Sequence, residues 1–220
     1  ECASGLTRYF LGTLPCALPV SPTLRPGRAL ANYSLSVERV SWEQGVWRNP
    51  PAKTTALGDQ LSVVSGHKTD MWRTTSYGFI HDSGHSLLTA LPEGRAMEID
   101  LRADYAHQFD QAGLLVWAAG DQWTKCGLEY VDGVTHLGAV VTRGESDWSA
   151  APVPDWTSGV STFRVSRLGD ALTIRARRPG EDWQLVRVAP LDPLREWQAG
   201  PYVASPSRAG LRVDFLEWRP

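Results

Sequence analysis

The dipeptide Asp132-Gly133 stands between two runs, 122–131 and 134–143, both rich in β-branched and aromatic residues. A pair of this type takes up positive φ readily and closes a tight β-hairpin, so the turn itself sets which residues face each other. Counting outward pairs Val131 with Val134, Glu129 with His136 and Gly127 with Gly138. The run 111–118 precedes this hairpin, and a three-residue loop at Ala119-Gly120-Asp121 pairs Trp117 with Trp123, Gly113 with Gly127 and Gln111 with Glu129. A two-residue loop would send every side chain to a different partner face. Burial selects the three-residue loop, because it gathers Leu114, Val116, Cys126, Leu128, Tyr130, Leu137, Ala139 and Val141 on one apolar face.

The opposite face then carries four rows: Gln111–Glu129–His136, Gly113–Gly127–Gly138, Leu115–Lys125–Val140 and Trp117–Trp123–Thr142. Glycine weakens a strand, so three of them side by side call for a reason. They would form the floor of a trough flanked by an amide, a carboxylate, an imidazole, an ammonium and two indoles. Such a lining hydrogen-bonds hydroxyls while stacking on an apolar ring face, the two surfaces that a sugar offers. The alternatives are a solvated outer face, or a groove that receives the chain's own N-terminal arm.

Elsewhere, short β-rich runs recur between turn signals such as Asp82-Ser83-Gly84, Gly169-Asp170 and Pro179-Gly180. No segment of about ten residues or more keeps a helical period, so the chain is read as all-β. Strands are predicted over 61–65, 71–80, 86–90, 96–105, 111–118, 122–131, 134–143, 161–168, 171–178, 182–189, 199–204 and 209–218, with 150–158 as a Pro-containing connection. About twelve strands fit one two-sheet sandwich over 37–220 better than two domains. Residues 1–36, with Pro15, Pro19, Pro22 and Pro26, read as an extended or poorly ordered arm.

A length of 220 residues, 42% hydrophobic and 21% charged, leaves enough apolar material for a real core. The formal charge of −2, with both signs interspersed, offers no field for nucleic acid or an anionic membrane, so neither partner is expected. Three cysteines cannot build a disulfide framework; Cys126 reads as a buried free thiol, and Cys2 with Cys16 would pair only in an oxidising compartment. The sequon at Asn32 would matter only in a secretory eukaryotic setting. No intact signal pattern is found at the N-terminus, although a start without Met leaves room for a removed leader. The cytoplasm is the expected compartment, with secretion as the alternative.

The segments DMWRTTSYGFIHDSGHSLL (70–88), YAHQFDQAGLLVW (105–117) and DQWTKCGLEYVDGVTHLGAVVTRGESDWS (121–149) resemble a family of domains of unknown function with a concanavalin-A-like fold, which includes a fungal protein named for regulation of enolase. The resemblance covers about residues 40–218. The middle segment is also similar to the C-terminal sandwich of some β-xylosidases. This implies a two-sheet antiparallel jelly-roll sandwich, with ligands usually taken on the concave sheet. It supplies no established reaction, and a fold does not assign one.

Retaining glucanases of this fold class carry alternating carboxylates of the form Glu-x-Asp-x-(x)-Glu. Here EIDLRAD offers Glu98 and Asp100, but Arg102 or Ala103 stands where the third carboxylate belongs, so these residues read as the polar side of one strand. Glu129 opposite His136 forms a carboxylate–imidazole pair suited to orienting a ligand. His81-x-x-x-His85 flanks a turn beside Asp82 and reads as hairpin chemistry in place of a metal site. There is no phosphate-binding glycine loop, nucleophile elbow or cysteine metal cluster.

The resulting expectation is saccharide or polyol binding without catalysis, metal or cofactor. The contacts are assigned to Gln111, Trp123, Lys125, Glu129 and His136, with Asp147 and Trp148 reaching over from a loop. Trp72, Arg73 and Tyr77 complete the set, over the floor of Gly113, Gly127 and Gly138. Two other readings stand beside it: a glycoside-active enzyme using Glu129, and a regulatory domain that binds a protein partner.

Overall fold

A computed structural model describes residues 38–220. The proline-rich arm, the Cys2 and Cys16 pairing and the Asn32 sequon therefore lie outside the described residues. In chain order the strands are β1 (Val46–Arg48), β2 (Lys53–Leu57), β3 (Gln60–Val64), β4 (Met71–Arg73), β5 (Ile80–Asp82), β6 (His85–Ala90), β7 (Ala96–Ala103) and β8 (Gln111–Ala119). They continue with β9 (Gln122–Val131), β10 (Val134–Arg143), β11 (Glu145–Pro152), β12 (Ser161–Leu168), β13 (Ala171–Arg177), β14 (Gln184–Pro190), β15 (Gln198–Ala204) and β16 (Arg212–Arg219).

Seven strands form a first sheet in the order β1-β6-β15-β8-β9-β10-β11, and seven form a second in the order β14-β13-β12-β7-β16-β3-β2. Strands β4 and β5 pair only with each other. This is the two-sheet antiparallel sandwich expected from the alternating pattern. Between the sheets, Leu114, Val116, Cys126, Leu128, Leu137 and Ala139 meet Ile99, Leu101, Phe163, Val165, Val213 and Phe215. Tyr130 packs against this core at its margin. Burial pushes the Cys126 thiol up to about 12, which removes the thiolate needed for reactivity.

The hairpin register is the one counted outward from Asp132-Gly133: Glu129 faces His136 and Gly127 faces Gly138. Asp132 and Gly133 both have positive φ, at 51° and 84°. On the other side Gln111 faces Glu129, Gly113 faces Gly127 and Trp117 faces Trp123, with a bulge between Trp117 and Ala119 that restores the register across the shorter turn.

Several boundaries differ from expectation. The predicted strand 71–80 is two short strands, β4 and β5, joined by a loop in which Thr74, Ser76 and Gly78 all have positive φ. That run satisfies β-propensity, but its backbone reverses before the ladder can extend. Strands β1, β2 and β11 went unpredicted, and 150–152 belongs to β11 and not to a connection. Strands β2 and β11 are edge strands, almost wholly exposed, so they carry none of the apolar alternation that marks a half-buried strand.

Candidate functional site

The first sheet turns its second face away from the sandwich core, and that face carries the predicted rows. Tyr202 of β15 and Ala150 of β11 extend the glycine row to Tyr202–Gly113–Gly127–Gly138–Ala150. The glycines are required first by the sheet itself. A methyl group at Gly113 would lie 1.9 Å from Cys126 O, and one at Gly127 would lie 2.1 Å from Ala112 O. Neighbouring strands thus approach too closely for any side chain, and the floor they leave is a by-product of that approach.

A strap made of residues 68–73 crosses this face. At one end Thr69 N donates to Ser205 O (3.2 Å), and Ser205 N donates back to Thr69 Oγ1 (3.0 Å). At the other, Arg73 N donates to Ser146 Oγ (2.9 Å) and Arg73 Nε to Gly144 O (2.9 Å), which pins the strap to the start of β11. Beneath it Met71 and Trp72 pack with Leu88, Leu115, Trp123, Val140, Tyr202 and Ala204 into a second apolar cluster. Trp123 and Thr142 are therefore sealed, with Trp117 partly buried beside them, and the open part of the trough lies on the other side of the strap.

Two loops bound that open part. Asp110, fully buried, accepts from Arg208 Nη2 (2.6 Å), Ser205 Oγ (2.8 Å), His107 N (3.0 Å) and Ala106 N (3.1 Å). Burial alone would push its carboxyl up, but these hydrogen bonds, led by Arg208, hold it below the usual carboxylate range. This staple fixes Phe109 and Pro206 at the rim.

At the closed end five polar side chains converge. Lys125 Nζ donates to Gln111 Oε1 (2.6 Å) and lies 3.3 Å from Asp70 Oδ1. Gln111 Nε2 donates to Glu129 Oε1 (3.2 Å) and to Phe109 O (3.1 Å), with Asp70 Oδ1 at 3.5 Å. Tyr202 Oη donates to Gln111 Oε1 (2.9 Å), and its ring lies 5.8 Å from the Lys125 ammonium. Glu129 keeps some solvent contact yet lies deep among protein atoms, and this burial pushes its carboxyl up to about 7; the Lys125 charge opposes the rise and the Asp70 charge adds to it. Above the cluster a cavity of about 350 Å³ is walled by Trp72, Tyr77, Phe79 and Trp148, within the range of small-molecule sites.

Of the residues singled out in the sequence, Trp72, Tyr77, Lys125, Glu129 and Trp148 line this cavity, and Gln111 lies beneath it, bonded to Lys125 and Glu129. Trp148 reaches it from β11 and not from a loop, opposite Val140 and 36% exposed. Tyr77 lies on the β4–β5 loop, stacked on Phe79 with ring centroids 5.4 Å apart and edge-on to Trp72. Trp72 is largely buried, and its indole Nε1 donates to Thr75 O (2.9 Å). His136 borders the glycine floor, but its Nδ1 is turned back on Val134 O (3.0 Å), and no hydrogen bond joins it to Glu129.

Three residues do not serve as expected. Trp123 is 1% exposed beneath the strap and cannot stack on a ligand. Arg73 is spent on pinning the strap. Asp147 pairs with Val141, which places it on the opposite face, where it accepts from Arg187 Nη2 (2.7 Å). The alternation Val140–Val141 decides this, since residues opposite neighbouring positions point to opposite sides.

Asp70 and Tyr202 escaped the sequence reading, although Asp70 opens the DMWRTTSYGF segment. Neither is near Gln111 or Glu129 in sequence, and no local period points to them. The pair His81 and His85 also separates. His85 donates from Nδ1 to Asn49 O (2.7 Å) and accepts at Nε2 from Gly66 N (2.9 Å), whereas His81 packs on Phe79. Among the described residues, no group of three or more His, Cys, Asp or Glu side chains could hold a metal ion. Glu98 and Asp100 sit on β7, away from this face, each bonded to Arg219.

Comparison with known proteins places this geometry among relatives. The family described as Protein of unknown function (DUF1349) matches residues 47–220. Regulation of enolase protein 1 of Saccharomyces cerevisiae is 35% identical over 175 residues, 80% of this chain and 88% of that protein. A crystal structure of a functionally unknown protein from Saccharomyces cerevisiae superposes with a TM-score of 0.77 at 34% identity, covering 81% of this chain and 96% of the other. A xylan β-1,4-xylosidase from Bacillus halodurans gives a TM-score of 0.53 at 14% identity over 79% of this chain and 38% of that enzyme, a likeness of fold alone.

Proposed function

The chain belongs to the family described as Protein of unknown function (DUF1349), and on that premise we propose that its outer-sheet pocket binds a saccharide or a similar polyol-bearing ligand. One observation carries this reading. Hydrogen-bonding groups from Asp70, Lys125 and Glu129 line the same cavity as the aromatic faces of Trp72, Tyr77 and Trp148, and Gln111 ties those three groups together from beneath. A pyranose or furanose ring offers hydroxyls at its edge and C–H groups on its faces, so both linings are used at once. The fold shared with sandwich domains of glycoside hydrolases is consistent with this use and does not by itself require it.

A second reading has one specific observation behind it. Asp70 and Glu129 both lie against the Gln111 amide nitrogen, at 3.5 and 3.2 Å. Their oxygens are thus within roughly 7 Å of one another, a separation seen in glycosidase carboxylate pairs. A carboxyl held near 7 would suit a proton donor. Against it, the Gln111 amide fills the gap between the two carboxylates, where a scissile bond would have to lie.

A glycan-array screen of the purified protein, followed by calorimetry on the best binder, tests the binding reading. Glu129→Gln and Trp148→Ala should each weaken affinity by roughly tenfold or more. Unchanged affinity in both variants moves the site elsewhere. Turnover of aryl glycosides or oligosaccharides that disappears in Glu129→Gln would establish the enzymatic reading instead.

A further inference from the structure

We infer that the pocket takes the terminal unit of an uncharged glycan and does not hold the middle of a running or an acidic chain. This rests on the saccharide reading above and narrows it by two independent observations, one of shape and one of hydrogen-bond polarity.

The shape, among the described residues, is that of a trough closed at its β15 end and open at its β11 edge. The strap closes its long side, since Arg73 ties it to Gly144 and Ser146 while Trp72 seals the Trp123 row. The same strap closes the β15 end, where Thr69 is bonded to Ser205 and Tyr202 is 2% exposed under Met71. Phe109 and Pro206 bound the far side. Among the described residues, the glycine floor runs out to solvent toward β11, past Trp148 and the exposed Ala150. A chain entering from that edge meets the Asp70–Gln111–Lys125 cluster and stops, so it presents an end.

The polarity at the closed end is that of an acceptor. Asp70 spends Oδ1 on Met71 N (2.7 Å), Lys125 and Gln111, and Glu129 spends Oε1 on Gln111. The second oxygen of each carboxylate has no protein partner among the described residues. Among the described residues, the cation beside them is Lys125, already engaged by Asp70 and Gln111, while Lys68 and His81 stand at the exposed rim. Among the described residues, a ligand carboxylate or sulfate at the closed end would face the Asp70 carboxylate and the carboxyl oxygens of Glu129 beside an ammonium already engaged, whereas hydroxyls donate to both.

The test uses an array of neutral oligosaccharides of two to six units, each also displayed with a terminal uronate and attached through either end. The expected result is binding to neutral members in one attachment orientation, with the uronate counterparts at least about tenfold weaker. Calorimetry then compares a trisaccharide with a long polymer of the same sugar. A terminal site loads one protein per polymer chain at an affinity per chain equal to that of the trisaccharide. Uronate binding as tight as neutral binding, or several proteins on each polymer chain, overturns the inference while leaving saccharide binding in place. Failure to bind any arrayed glycan overturns both.

Discussion

Replacing Glu129 by Gln should stabilise the protein in alkaline solution and do little in acid. The Glu129 carboxyl titrates near 7 in the folded chain against 4.5 when unperturbed, because folding removes it from water faster than Lys125 compensates. Between those values the folded state binds more protons than the unfolded one, so this group lowers stability as pH rises from about 4.5 to 7, and the cost is fully developed above 7. At 1.36 kcal/mol per pH unit the cost is of the order of 3 kcal/mol. A glutamine side chain cannot ionise, and its carbonyl can still accept from Gln111 Nε2, so the substitution removes the cost without orphaning the amide. Urea unfolding of both proteins at pH 5 and pH 8 isolates the effect. The variant should gain about 3 kcal/mol at pH 8 and about 1 kcal/mol or less at pH 5, with melting temperature rising by about 2–4 °C per kcal/mol. His85, whose own pKa is lowered by burial, costs stability as pH falls, but equally in both proteins, so it cancels in the difference. A difference between the two proteins that is the same at both pH values, or a variant less stable at pH 8, would refute the reasoning that burial dominates at Glu129.

The two tryptophans on the trough face should separate by role. Trp123→Ala should cost about 3–5 kcal/mol of stability by emptying a fully buried site, read by denaturant unfolding, while Trp148→Ala should leave the unfolding midpoint nearly unchanged. Gly127→Ala should destabilise by about 2 kcal/mol or more in the same measurement, since its methyl would meet Ala112 O at 2.1 Å, and an unchanged midpoint would show that the strands can part at little cost. Asp110→Asn should cost about 3–5 kcal/mol near neutral pH by leaving Arg208 without its buried partner, with the loss shrinking as pH falls through the depressed carboxyl pKa.

How far the sequence could be read follows from the range over which each signal acts. Asp132-Gly133 is a local device, so Gly113, Gly127 and Gly138 were aligned correctly from the turn and the side-chain period of two. The apolar alternation identified the core face for the same reason, through to Leu114, Cys126 and Leu128. Edge strands failed this test because the period is imposed by burial on one side, and Lys53–Leu57 and Glu145–Pro152 have almost none. The loop 74–79 failed it too, since three left-handed residues break a run whose composition is that of a strand.

The site divides along the same line. Gln111, Lys125 and Glu129 occupy neighbouring cross-strand positions on one face, and the sequence by itself determined that they would be neighbours, because the apolar alternation selects one register between the two loop lengths. Whether their face is open was decided only by the strap. Its position depends on Thr69 meeting Ser205 and Arg73 meeting Gly144, contacts across more than a hundred and about seventy residues that no turn or period encodes. That one crossing buries Trp123, brings Asp70 to Lys125 and leaves Trp148 at the mouth of the cavity. Long-range packing has no local signature because its free energy comes from surfaces that meet only once the sheet exists.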